Sequence, residues 1–130
     1  MKQHMPNVKM NDKVSAVIFE NGKAVEAGAE TGESLLKELI GMDEGASYLG
    51  ECALVPYDSP IRESELLFYN TLFDENAACH IALGSSFPEC IENGTDMDKD
   101  ELTKNGLNQC DSHVDFMIGT EDLNITGITA

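Results

Sequence analysis

Asn21-Gly22 stands between two seven-residue runs, VSAVIFE (Val14 to Glu20) and KAVEAGA (Lys23 to Ala29). A two-residue connection between paired strands needs both of its residues at positive φ, and Asn-Gly reaches that conformation at least strain. The dipeptide therefore predicts a β-hairpin near the start of the chain.

The rest of the chain adds short elements to this hairpin. Thr31 is placed to cap a helix in TGESLLKELIG, where Leu35, Leu36, Leu39 and Ile40 recur at helical spacing and Gly41 is the stop. A short second helix is expected from Asp43 to Leu49, before Gly50 releases the chain into the strand ECALVP. Pro56 and Pro60 bracket YDSP and predict an ordered loop. LLFYNTLF reads as a short strand or helix of buried aromatics, and AACHIALG (Ala77 to Gly84) as a strand with His80 near its middle. SSFPEC and ENGTD form a long loop, MDKDELTKNG a helix, and HVDFMIG and LNITGI closing strands. The expected fold class is α+β, mostly antiparallel strands with a few short helices. Residues 1–12 carry no periodic signal and read as an N-terminal arm, leaving residues 13–130 as one domain.

Composition narrows the partners. The chain has 24 acidic and 8 basic residues and a net charge of −16, which repels phosphate backbones and anionic lipid surfaces. Nucleic acid and membrane are therefore not expected partners; such a surface can attract cations or the amino groups of peptides, or simply keep the chain solvated, and charge alone does not choose between them. Cys52, Cys79, Cys90 and Cys110 form no CxxC pair and read as reduced thiols. The polar start MKQHMPNVKMNDK has no apolar core of a signal peptide, so a cytoplasmic location is expected.

The chemically informative residues are polar side chains inside apolar runs. Glu51 opens ECALVP, His80 sits in AACHIAL, and His113 and Asp115 are two apart in HVDFMIG, a spacing that puts both on one face of a strand. Each needs a partner if its neighbours are buried, and all four are of types that ligate divalent metals. Taken singly, each has a plainer reading as a hydrogen-bonded strand residue. A second acidic cluster, Asp96, Asp98 and Asp100, imitates a calcium loop. It has Glu101 where that loop needs glycine and Leu107 where it needs a bidentate glutamate, so a solvated helix start is the better account. Phosphate-binding glycine loops and a GxSxG nucleophile elbow are absent.

The strings LGECALVPYDSPI, LLFYNTLFDENAACHIALG and HVDFMIG, in this order, resemble the carboxy-terminal portion of the thermophilic metallo-aminopeptidase family, of the aminopeptidase T and aminopeptidase S type. The resemblance implies a part of a larger catalytic domain in a cytoplasmic exopeptidase that cleaves peptides with a free N-terminus and pairs into homodimers. It implies Glu51, His80, His113 and Asp115 as ligands of two divalent ions (zinc, cobalt, manganese or magnesium), with Glu51 shared between them. Such a pair of ions, about 3.5–4 Å apart, activates water and stabilises the oxyanion of the cleaved bond. Asp74 and Glu75, just before His80, are candidates to hydrogen-bond those ligands. The chain departs from the family at two places. A further ligating glutamate lies upstream in the family, beyond the length available here, and Phe87 stands where the family has a tyrosine seven residues after the histidine. The alternative is therefore a catalytically inactive fragment, or a binding or assembly module, that keeps the fold and at most one ion.

Overall fold

The computed structural model describes residues 14–128. The expected arm over 1–12 lies outside them. The hairpin forms as expected: β1 (Val14–Glu20) and β2 (Lys23–Ala29) pair antiparallel around Asn21 and Gly22, at φ 50° and 81°. They make a two-stranded sheet of their own. It is tied to the next strand by the Leu49 amide, which donates to the Gly22 carbonyl at 2.8 Å, and by a bridge between Lys23 and Tyr48.

Helix α1 (Glu33–Ile40) buries Leu36 and Leu39 and packs against β2. Its cap differs from the expectation. Gly32, at φ 79°, occupies the N-cap position, and no side chain, Thr31 included, caps the helix. The helix expected over 43–49 contracts to one 3-10 turn, Gly45–Ser47. There the Asp43 carboxylate accepts from the Ala46 amide and Ser47 Oγ donates to the Glu44 carbonyl. Local side-chain bonds of this kind compete with helix and close the chain into a turn.

The second sheet has three strands, β3 (Leu49–Ala53), β4 (His80–Gly84) and β5 (His113–Met117), in the order β3-β4-β5 with both pairings antiparallel. Strand β4 is central and supplies much of the core: Ala82 is fully buried, and Leu83 and His80 nearly so. In the register, Glu51 and Asp115 both pair with Ala82, His80 pairs with Ala53 and Met117, and His113 pairs with Gly84. The strand is shorter than expected. A 3-10 turn takes Glu75–Ala77, so His80 is its first residue and not a middle one.

Three further expectations are corrected. Pro60 does not exclude a regular element but starts a four-residue helix, α2 (Pro60–Glu63), with Ser59 Oγ accepting from the Arg62 amide as its cap. Proline is at home at the first helical position because the amide it lacks has no helical partner there. In LLFYNTLF, helix α3 (Thr71–Asp74) forms, but Phe68, Tyr69 and Phe73 are exposed, because no layer of the described residues covers them. LNITGI forms no strand. Helix α4 (Lys99–Lys104) starts with a reciprocal cap in which Asp98 accepts from the Glu101 amide and Glu101 accepts from the Asp98 amide. The acids that imitated a calcium loop thus open a helix.

Candidate metal centre

Each strand of the second sheet carries part of one polar cluster. Because Glu51 and Asp115 flank Ala82 on either side, and His80 lies two residues along β4 from Ala82, their side chains leave the same face of the sheet. The methyl of Ala82 is the smallest side chain that keeps the strand regular, and it leaves room between the two carboxylates. His113 joins from the far end, opposite Gly84.

Close backbone approach makes this possible. A Cβ on Gly50 would lie 2.3 Å from the Gly84 carbonyl oxygen, and one on Gly84 would lie 2.2 Å from the Ser112 carbonyl oxygen. Gly84 also has φ 105°, which L side chains rarely adopt. These two glycines let the start of β3 and the start of β5 close onto the end of β4, and so set where Glu51 and His113 enter the cluster. The pairing of β3 with β4 is irregular between Leu49 and Glu51, at Gly50 itself.

The four predicted side chains converge. His80 Nε2 is 3.6 Å from Glu51 Oε1, and His113 Nε2 is 3.0 Å from Glu51 Oε2 and 3.3 Å from Asp115 Oδ1. One ligand atom each from Glu51, His80 and Asp115 lie within 4.8 Å of one another. Two donors bound to one small cation at about 2.1 Å each are separated by roughly 3–4 Å, which matches these contacts.

Both imidazoles are held by their other nitrogen. His80 Nδ1 donates to the Ala78 carbonyl at 2.9 Å and His113 Nδ1 to the Ser85 carbonyl at 2.7 Å. A proton fixed on Nδ1 turns the Nε2 lone pair into the cluster when the ring is neutral. His80 Nε2 and Asp115 Oδ1 are buried and make no hydrogen bond. The 3.3 Å approach of Asp115 to His113 is therefore an ionic contact off the hydrogen-bond direction. Orphaned buried acceptors are rare in folded proteins, and two of them facing one spot fit a cation.

The His113 imidazole is raised from 6.5 to about 9, chiefly by the Asp115 carboxylate beside it, against the opposing effect of burial and with further help from the Ser85 carbonyl and Glu51. A folded-state value above the unfolded one stabilises the fold below the unfolded pKa and loses that contribution as pH rises through the folded one. The metal-free chain should accordingly lose stability between about pH 6.5 and pH 9, measured as a falling urea midpoint. A His113→Gln variant should flatten that profile; an unchanged profile would remove the coupling.

The remaining predicted residues separate. Glu75 is half-buried near the cluster: burial, then the Asp115 and Glu51 charges, raise its carboxyl, against His80 and His113. Asp74 is buried elsewhere, its two oxygens accepting from the amides of Phe68 and Asn70, where it shapes a loop. Phe87 lies against the His113 ring with centroids 4.9 Å apart. The carbonyls of Ala78 and Ser85 have no signature in the sequence, since no residue type signals a backbone acceptor.

Comparison with known proteins places the chain in a family. The chain is 62% identical over 112 residues to aminopeptidase AmpS of Bacillus subtilis (strain 168), an alignment covering 86% of this chain and 27% of that protein. It is 56% identical over 111 residues to aminopeptidase 2 of Geobacillus stearothermophilus, covering 85% and 27%. Its fold matches wild-type AmpT from Thermus thermophilus with a TM-score of 0.69 at 50% identity, over 81% of this chain and 25% of that one. The chain thus spans about a quarter of the length of these relatives. The profile of the thermophilic metalloprotease (M29) family matches residues 2–130, and the chain belongs to that family.

Proposed function

We propose that Glu51, His80, His113 and Asp115 hold divalent cations, and that the chain is the metal-binding portion of an aminopeptidase acting on peptides with a free N-terminus. The observation that carries this reading is the pair of orphaned acceptors, His80 Nε2 and Asp115 Oδ1, facing the Glu51 carboxylate. Glu51 turns one oxygen to each imidazole, an arrangement suited to a carboxylate shared between two ions. When bound, divalent ions polarise a carbonyl and acidify water, the chemistry that peptide hydrolysis requires.

The chain's own groups complete the reading. The Ala78 and Ser85 carbonyls keep each imidazole in the tautomer that presents a lone pair. The carboxylates Glu51 and Asp115, with Glu75 nearby, favour positive charge, whether a metal ion or the ammonium end of a peptide. Glu75, whose proton affinity is raised by burial and then by those charges, is suited to holding a proton beside the cluster. A cytoplasmic location and a homodimer belong to the same reading, and the exposed Leu66, Leu67, Phe68, Leu72 and Phe73 support a protein contact. Among the described residues no helix is long and apolar enough to cross a membrane.

A second reading, a module with a single ion and no catalysis, is favoured by two observations. One ligand atom each from Glu51, His80 and Asp115 come within 4.8 Å of one another without His113, and Phe87 presents no hydroxyl at the His113 ring. Calorimetric titration of the metal-free chain with cobalt or zinc separates the readings. Two equivalents taken up, with hydrolysis of a leucyl chromogen by the chain or its Phe87→Tyr variant, are expected of the first. One equivalent without hydrolysis selects the second, and no uptake rejects both.

A further inference from the structure

The end of the second sheet beside His80 carries a half-open cavity of about 250 Å³, lined among others by Val55, Arg62, Cys79, Gly119 and Glu121. It exists because the strands part there. Pairing of β3 with β4 stops at Ala53 and His80. Beyond that point the Cys79 thiol takes over, accepting from the Val55 amide at 3.2 Å and donating to the Val55 carbonyl at 3.1 Å. On the other side the Ile118 and Gly119 amides both donate to the Cys79 carbonyl, which ends the β5 pairing.

Arg62 is the only arginine in a chain of net charge −16. Among the described residues its guanidinium forms no salt bridge. It lies 3.8 Å over the Tyr57 ring, and stacking of this kind orients the planar group while leaving its N–H edge free. An oriented, unpaired guanidinium on the wall of a largely apolar cavity is matched by a carboxylate attached to an apolar group. Ala78 lines the same cavity, and its carbonyl receives the His80 Nδ1 proton, so the cavity and the metal centre share a wall.

We propose that this cavity binds a carboxylate of the peptide through Arg62, either the free C-terminus of a short peptide or an acidic side chain. This deepens the aminopeptidase reading and rests on it for the identity of the substrate. Binding itself is measured on the metal-free chain, so failure here is distinct from failure of metal uptake. The 15N-labelled chain, with chelator present, is titrated with N-acetyl-leucine, N-acetyl-glutamic acid α-amide and N-acetyl-leucinamide. Millimolar concentrations of the two acids should shift the amides of Val55, Cys79 and Gly119, and the uncharged amide should not. The tighter acid identifies the source of the carboxylate. Arg62→Met should weaken the acids by about tenfold. If that variant does not fold, Glu121→Gln, which removes a like charge from the cavity, should tighten them. An equal response to the uncharged amide, no response to either acid, undiminished binding by Arg62→Met, or unchanged or weaker binding by Glu121→Gln would overturn the proposal.

Discussion

Asp115→Asn should lower the affinity of the chain for divalent cations by about 100-fold or more while leaving the fold in place. The substitution keeps the volume and the position in β5, so neither the pairing with Ala82 nor the packing of the sheet is disturbed. What it removes is the charge. Asp115 Oδ1 is buried without a hydrogen bond, and a carboxamide there brings no anion to offset the desolvation of a cation. It also removes the carboxylate that raises His113, so the imidazole should titrate closer to its ordinary value. Calorimetry with zinc or cobalt reads the first effect, and a histidine-resolved NMR titration of the metal-free chain reads the second. An affinity within a few-fold of the parent would remove Asp115 from the proposed metal centre.

Gly84→Ala is expected to destabilise the chain by about 3 kcal/mol or more, a large part of the stability of a small domain. Two effects add. At φ 105° an L residue is strained whatever the space around it, and the new methyl would lie 2.2 Å from the Ser112 carbonyl oxygen. That oxygen belongs to the backbone and accepts from the Ser85 amide at 2.7 Å, so relief requires the start of β5 to move. His113 would move with it. Gly50→Ala isolates the steric part, since Gly50 is not in the left-handed region but its Cβ would meet the Gly84 carbonyl oxygen at 2.3 Å. Urea unfolding gives the stabilities; a loss below about 1 kcal/mol at Gly84 would show that β5 can yield without disturbing the cluster.

Local chemistry explains which expectations held. The hairpin was legible because Asn21-Gly22 satisfies its own backbone requirement, whatever surrounds it. The helix opened by Asp98 was legible because its cap is made by residues three apart. Two expectations that depended on distant partners failed. The aromatics of LLFYNTLF were expected to be buried, but burial needs a second surface that no local pattern supplies. The strand at His80 is shorter than its apolar run predicts, because a turn and the Cys79 thiol replace its first expected pairings. Of the two acids before His80, Asp74 accepts from loop amides, whereas burial and then the charges of Asp115 and Glu51 raise the Glu75 carboxyl.

The residue types of the candidate centre were readable from the sequence, since glutamate, histidine and aspartate in apolar runs require partners. Periodicity put His113 and Asp115 on one face, and resemblance to a known family joined Glu51 and His80 to them. Their meeting was decided by the tertiary structure. Three strands separated by long connections had to pair in one register, with Ala82 between the carboxylates and Gly50 and Gly84 allowing the strand ends to close. Strand alternation reaches only neighbours along the chain, whereas contact between side chains 64 positions apart, as from Glu51 to Asp115, follows from pairing register and backbone approach alone.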